Sequence, residues 1–181
     1  MKKGFTLIEM LVTIGITIMM AGVLLAYNRS SERQLALSVS QARLVGVLTR
    51  AKAHTLEKFA GANGGANACA FGVHFAPGPP LSVVLFQNLP ANADEGCYGP
   101  DGTPTYGRTY ADGEGVETVE FDRRIIIIDS TPLDLVFDGP YLSVYVDGSP
   151  ASVQVTYNLE TVEGGDALSV TVGPGGEITA R

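Results

Sequence analysis

From Met10 to Asn28 the chain runs without a single charge, and the residue just before that run is a glutamate, Glu9. A helix needs about 20 mostly apolar residues, each rising roughly 1.5 Å, to cross a bilayer. The stretch from Phe5 to Tyr27 supplies 23, with Glu9 as its one charged side chain. A carboxylate beside lipid is costly unless something neutralises it, so a glutamate in this place asks for a function. Lys2 and Lys3 precede the run and hold the amino-terminal end in the cytoplasm by the positive-inside rule.

The residues at this junction, Gly4-Phe5-Thr6-Leu7-Ile8-Glu9, resemble the type IV pilin and pseudopilin family. The resemblance implies a short basic leader, residues 1–4, cut by a dedicated prepilin peptidase after Gly4. It implies N-methylation of the new amino terminus at Phe5. Glu9, five positions into the mature chain, would neutralise the amino terminus of a neighbouring subunit during assembly. The chemistry is consistent, because an α-amino group with a pKa near 8 is a cation at neutral pH and pairs with a carboxylate. The partners implied are other pilin-like subunits, prepilin peptidase, an inner-membrane assembly platform and the membrane itself. The implied location is single-pass in the cytoplasmic membrane, with an exported head that ends in the periplasm or outside the cell. The motif spans only about the first 30 residues.

Two plainer readings compete. A secretory signal peptide needs small residues at −3 and −1 of its cut site. The best candidate here, after Ala26, has bulky Leu24 at −3, and the apolar run is long for such a peptide. A simple single-pass anchor leaves Glu9 without a role.

The net charge of −7 becomes −9 once Lys2 and Lys3 are removed. Its distribution is uneven. Residues 5–58 balance at +3, whereas from Phe59 onward four arginines face sixteen acids, a balance of −12. An acidic head repels phosphate backbones and argues against nucleic acid as a direct partner. Cys69 and Cys97 are the only cysteines, and the expected topology puts both outside the cytoplasm, where disulfides persist. A bridge between them would be worth about 3.5 kcal/mol in the chain-entropy model. The alternative is two buried free thiols.

The expected organisation is a membrane and assembly helix over 5–28, an amphipathic helical stem over 29–60, and a β-rich head over 61–181. From Tyr27 to Phe59 there is no proline and one glycine, Gly46, among good helix formers. At about 100° per residue the stem carries two apolar stripes. Leu35, Val39, Ala42, Val45, Ala53 and Leu56 form one, and Leu37, Leu44, Leu48, Ala51 and Phe59 the other. A helix resting on a single head needs only one stripe, so the second suits neighbouring subunits, unless the stem is simply more deeply buried.

The segment 61–68 reads as a connector, and the chain beyond it reads as strands. Residues 71–75 and 81–87 flank a proline-rich turn, and a long loop runs over 89–115. Strands are expected at 116–121, 125–128, 133–137, 142–146 and 153–157, with Asp138-Gly139 and Asp147-Gly148 as turn signals. A closing hairpin joins 167–172 to 177–180. The fold class is α+β, a long helix on a mostly antiparallel head of two small sheets. That pattern also resembles the H-type minor pseudopilins of type II secretion, through Gln41-Ala42-Arg43, Phe71-Gly72-Val73-His74-Phe75 and Gly176-Glu177-Ile178. That family often has arginine after the last glycine, where this chain has Glu177, so the role of that arginine does not carry over.

No constellation for catalysis stands out, and the chain reads as the substrate of an enzyme rather than as one. His54 and His74 lack metal spacing, no Gly-x-Ser-x-Gly elbow is present, and the glycine-rich stretches lack a phosphate-loop lysine. No cofactor is expected. The one metal candidate is calcium at Asp112, Glu114 and Glu117, as in some pseudopilins, although the spacing is not that of an EF-hand and acidic turns are commonly just solvated. The leading function is a structural subunit, minor in type, of a type IV pilus or type II secretion pseudopilus. The alternative is a pilus-tip adhesin or DNA-uptake module, for which Tyr98, Tyr106 and Tyr110 of the long loop are the candidate contact aromatics. A membrane-anchored enzyme is the third.

Overall fold

The computed structural model describes residues 6–59, 68–76, 78, 80–91, 96–128, 133–139 and 141–181, with side chains left out for 25–30 and 59. One long helix, α1, covers Leu7–Phe59. The chain divides into two compact units, residues 1–35 and 36–181. Most of the expected 61–68 connector lies outside the described residues.

In the first unit, Leu7–Leu24 is long and apolar enough to cross a membrane, with a mean hydropathy of 2.2 and none of it buried. Length and composition alone carry that statement, which a signal sequence would also satisfy. Inside this stretch the threonine hydroxyls are satisfied by the helix itself. Thr13 Oγ1 donates to Met10 O (2.9 Å) and Thr17 Oγ1 to Thr13 O (2.7 Å). In hydrocarbon, where water offers no partner, that internal pairing is what makes a hydroxyl tolerable.

The second unit is α+β. Ten strands come after the helix: β1 Ala70–Ala76, β2 Ser82–Asn88, β3 Gly115–Glu120, β4 Ile125–Ile128, β5 Asp134–Asp138, β6 Ser143–Val146, β7 Ser149–Pro150, β8 Val155–Thr161, β9 Ala167–Val172 and β10 Ile178–Ala180. They form a six-stranded sheet in the order β3-β2-β1-β5-β6-β7 and a four-stranded sheet in the order β10-β9-β8-β4. Every pairing is antiparallel. The expected strand at 153–157 begins later and runs longer, as β8. The Asp147-Gly148 signal is a true turn, with φ of 46° and 80° at the two positions, a geometry that glycine meets without a Cβ clash. Asp138 is not a turn residue. It ends β5, buried, and the left-handed conformation of the next turn falls on Leu142 (φ 56°).

The helix meets the sheets through one stripe. Leu37, Leu44, Val47, Leu48 and Ala51 are buried with Val73, Phe75, Val83, Leu85, Leu135, Phe137, Tyr157, Leu159, Val170 and Val172. Leu35, Val39 and Leu56, from the other stripe, stay exposed at 63%, 43% and 42%. Val45 is the exception, packed against the core.

Polar side chains of the helix stitch it to backbone carbonyls of the strands and of the segments flanking β10. Gln41 Nε2 donates to Ser169 O (2.9 Å) and Arg181 O (3.0 Å), and Lys52 Nζ to Gly176 O (2.9 Å). Thr55 Oγ1, buried, donates to Ala51 O (3.1 Å) and Phe137 O (3.2 Å). Gly72 sits where β1 passes Phe86 and β5. A Cβ there would fall 2.6 Å from the Phe86 ring and 2.8 Å from Leu135 O, closer than any side chain allows.

β5 is buried along its whole length, and its alternation explains the rest of the head. Leu135 and Phe137 pack toward α1. Val136 belongs to a second cluster on the opposite face, with Cys69, Ala70, Phe86 and Tyr106. Asp134 and Asp138 share that face by the two-residue period of a strand. The six-stranded sheet is thus covered on both sides, by the helix on one and by the loop before β3 on the other.

Candidate functional site

Gly4 and Phe5, the expected processing positions, lie outside the described residues. Glu9, the expected assembly residue, stands exposed in the first turn of α1. Thr6 precedes the helix, and its carbonyl accepts from Glu9 N (3.1 Å) and Met10 N (3.2 Å). Its hydroxyl is 3.5 Å from Glu9 Oε2. Threonine followed three residues later by glutamate is a helix-start signature, and an acid in the first turn also suits the helix dipole. That gives Glu9 a local role beside the expected intermolecular one, yet it leaves the carboxylate accessible.

The cysteines are joined in a disulfide, with their Cα atoms 5.2 Å apart. Cys69 is fully buried and Cys97 partly so. The bridge ties the start of β1 to the long loop, and the loop is then fixed by a second device that sequence reasoning missed. Tyr106, Arg108 and Tyr110, two residues apart, reach the two outward carboxylates of β5. Asp138 Oδ1 accepts from the Tyr106 hydroxyl (2.5 Å) and the Tyr98 hydroxyl (3.1 Å). Asp138 Oδ2 accepts from Arg108 Nε (3.1 Å) and a terminal nitrogen (2.9 Å). The Arg108 guanidinium also lies over the Tyr145 ring, 3.8 Å from its centroid.

Asp134 takes the other end. One oxygen is 2.6 Å from His74 Nδ1, the other accepts from Tyr110 N (3.1 Å), and the Tyr110 ring stacks on His74 at 4.6 Å. The electrostatics reflect the burial. Burial first, then the bond to Asp138, pushes the Tyr106 phenol well above its usual range. Burial does the same to Tyr98. For Arg108 burial works downward, but the bonds and charge of Asp138 outweigh it, so the guanidinium titrates higher than usual.

This arrangement corrects the reading of the loop aromatics as a contact surface. Tyr106 is 7% exposed, and Tyr110 packs between His74 and Phe86. Only Tyr98 is substantially exposed, and its hydroxyl is bonded inward. The signal that could have revealed this was the alternation Tyr106-x-Arg108-x-Tyr110 facing Asp134-x-Val136-x-Asp138, two matched period-2 patterns.

The acidic turn is likewise occupied from within. Glu114 accepts from Ala111 N (3.0 Å), Leu89 N (3.2 Å) and Asn88 Nδ2 (3.3 Å). Glu117 pairs with Arg50 at 3.1 Å. Asp112 does not join them: among the described residues no group of three His, Cys, Asp or Glu side chains could hold a metal ion.

Residues 1–25 match the family described as the prokaryotic N-terminal methylation motif. The chain carries a prepilin-type amino terminus. The match ends inside the apolar part of α1, so it covers the amino-terminal segment and the first helical turns and does not reach the strands. No curated protein and no solved structure matches the chain.

Proposed function

We propose that this chain is a structural subunit of the minor type, in a type IV pilus or type II secretion pseudopilus, cut after Gly4, methylated at Phe5 and carried into the filament by α1. The observation that carries the reading is the methylation motif over residues 1–25. The helix supports it in two ways. Its first part is apolar and unburied, with an accessible carboxylate at its start. Its later part keeps Leu35, Val39 and Leu56 open while the opposite stripe is consumed by the head core. Apolar side chains left open on an otherwise well-packed element suit association with like helices. The expected division into leader, membrane helix, stem and head belongs to the same proposal, as does the exported location of the head.

Intact-mass measurement of the full chain co-expressed with prepilin peptidase tests it. The expected product lacks the first four residues and carries one added methyl on Phe5. A product beginning near Tyr27 would identify a secretory signal peptide and overturn the proposal. Replacing Gly4 with a bulky residue should leave the precursor uncut.

A further inference from the structure

The disulfide is asymmetric in a chemically consequential way. Lys58, in the last turn of α1, places its Nζ 3.0 Å from Cys97 Sγ. Cys69 sits with Ala70, Phe86 and Val136 at zero exposure, whereas Cys97 lies at the edge of that cluster. One sulfur therefore lies beside a cation, with the Ala68 carbonyl 3.8 Å away, in a partly exposed residue, and the other belongs to a fully buried residue among apolar side chains.

We propose that Cys97 is the site at which a protein thiol–disulfide oxidant acts on this chain, with Lys58 holding its thiolate. A cation beside a cysteine lowers its pKa and raises the thiolate fraction, while apolar burial does the reverse. In the reduced chain the Cys97 thiolate attacks one sulfur of the oxidant's disulfide. That S–S bond breaks, and the oxidant's other sulfur leaves with the electron pair as a thiolate. A mixed disulfide through Cys97 results. Cys69 then loses its proton to solvent and attacks Cys97 Sγ. The Cys69–Cys97 bond forms, the bond from Cys97 to the oxidant's attacked sulfur breaks, and that sulfur departs as a thiolate. Two cysteines are oxidised by two electrons, and one oxidant disulfide is reduced to a dithiol after taking up two protons.

The same geometry makes the reverse slow. An external thiolate reaches Cys97, and that attack must expel Cys69 as a thiolate into apolar surroundings, where it leaves poorly. The attack that would release Cys97 beside Lys58 requires access to buried Cys69. Asp138 is the charge that acts on Lys58. Burial lowers its ammonium from the usual range, Asp138 opposes that, and Asp138 is itself bonded to Tyr98, Tyr106 and Arg108. The inference concerns the head alone and does not depend on the filament role.

The test uses the full chain in detergent, as Cys69→Ser (leaving Cys97) and Cys97→Ser (leaving Cys69), each with and without Lys58→Met. The probe is a small aromatic disulfide that releases a coloured thiolate, followed across pH. Cys97 should react at least about tenfold faster than Cys69 at neutral pH, with a midpoint below that of a free cysteine. Lys58→Met should raise that midpoint by about one pH unit, and Lys58→Arg should restore most of it. In urea all variants should react alike. Equal or faster reaction of Cys69 in the native chain would overturn the proposal. So would a Cys97 profile indifferent to Lys58→Met, or single-cysteine chains whose circular dichroism shows the head unfolded.

Discussion

The apolar start of α1 and the loop over 96–114 are ordered by opposite means. Every backbone bond in Leu7–Leu24 is made within a turn or so of itself, and no side chain there is buried. The loop has almost no regular structure, yet it is pinned by the Cys69–Cys97 bridge, by Asp138 through Tyr98, Tyr106 and Arg108, and by Asp134 through Tyr110. Local bonding gives the first region its shape but no destination, so its surface stays exposed. Distant bonding gives the second a fixed place, and it draws the Tyr106 and Tyr110 rings inward while the Tyr98 hydroxyl is bonded to Asp138. Composition alone would have assigned these roles the other way for the tyrosines.

The sharpest way to break the contrast is to remove the carboxylate on which the loop converges. Asp138 is 4% exposed, and Asp138→Ala would strand the Arg108 guanidinium and the Tyr106 hydroxyl. Removing one partner of a buried pair costs about 3–5 kcal/mol. Chemical denaturation of the full chain in detergent should show a loss near that size, with new protease cuts between 96 and 115. A loss under about 1 kcal/mol would mean that the disulfide and apolar contacts hold the loop unaided.

A smaller effect is expected from an exposed pair outside the loop. The bidentate bond from Arg124, with the Arg124 backbone N–H, lowers the Asp122 carboxyl to about 2. A carboxyl depressed in the folded state stabilises it above the ordinary carboxylate range, and that contribution is lost as pH falls from about 4 toward 2. Because the pair is solvent-screened, its size should be below about 1 kcal/mol. Arg124→Ala should therefore flatten the acid limb of the stability–pH curve slightly. An unchanged limb would remove this pair from the account.

The smallest effect on stability, effectively none, belongs to Glu9→Gln. The variant keeps the shape of the side chain and does not touch the cleavage site, so cutting and membrane insertion should be normal. Co-purification with pilin-like subunits should be lost or strongly reduced. Undiminished co-purification would reduce Glu9 to the helix-start carboxylate that its contact with Thr6 already describes.

Legibility of the fold divides along the same line. The helix, the two-sheet α+β class and nearly all strands could be read, because helix periodicity, strand alternation and the Asp147-Gly148 turn are local signals. The two stripes of the stem were legible too, though only packing shows that Leu37, Leu44 and Leu48 form the inner one. The carboxylates of β5 were not legible. Asp134 and Asp138 bracket an apolar trio, and in isolation each resembles a strand-end turn residue. Their burial depends on residues 24 to 60 positions away in the chain, such as Tyr110, Tyr98 and His74. The short strand β7 could not be read because Ser149 and Pro150 carry no strand propensity.

The placement of β4 has a consequence for how the head comes into being. The chain leaves the six-stranded sheet after β3, gives Ile125–Ile128 to the other sheet, and returns to the first with β5. β4 then waits for β8, which pairs Ile125 with Thr161 and Ile128 with Asn158. Neither sheet is therefore assembled from one uninterrupted stretch of chain, and the second cannot be completed before the first has been traversed. Such long loop closures come before the contacts that reward them, so the head should fold slowly for its size. Once closed, the two sheets are interlocked by a strand that each needs the other to position, and they should open together rather than one at a time.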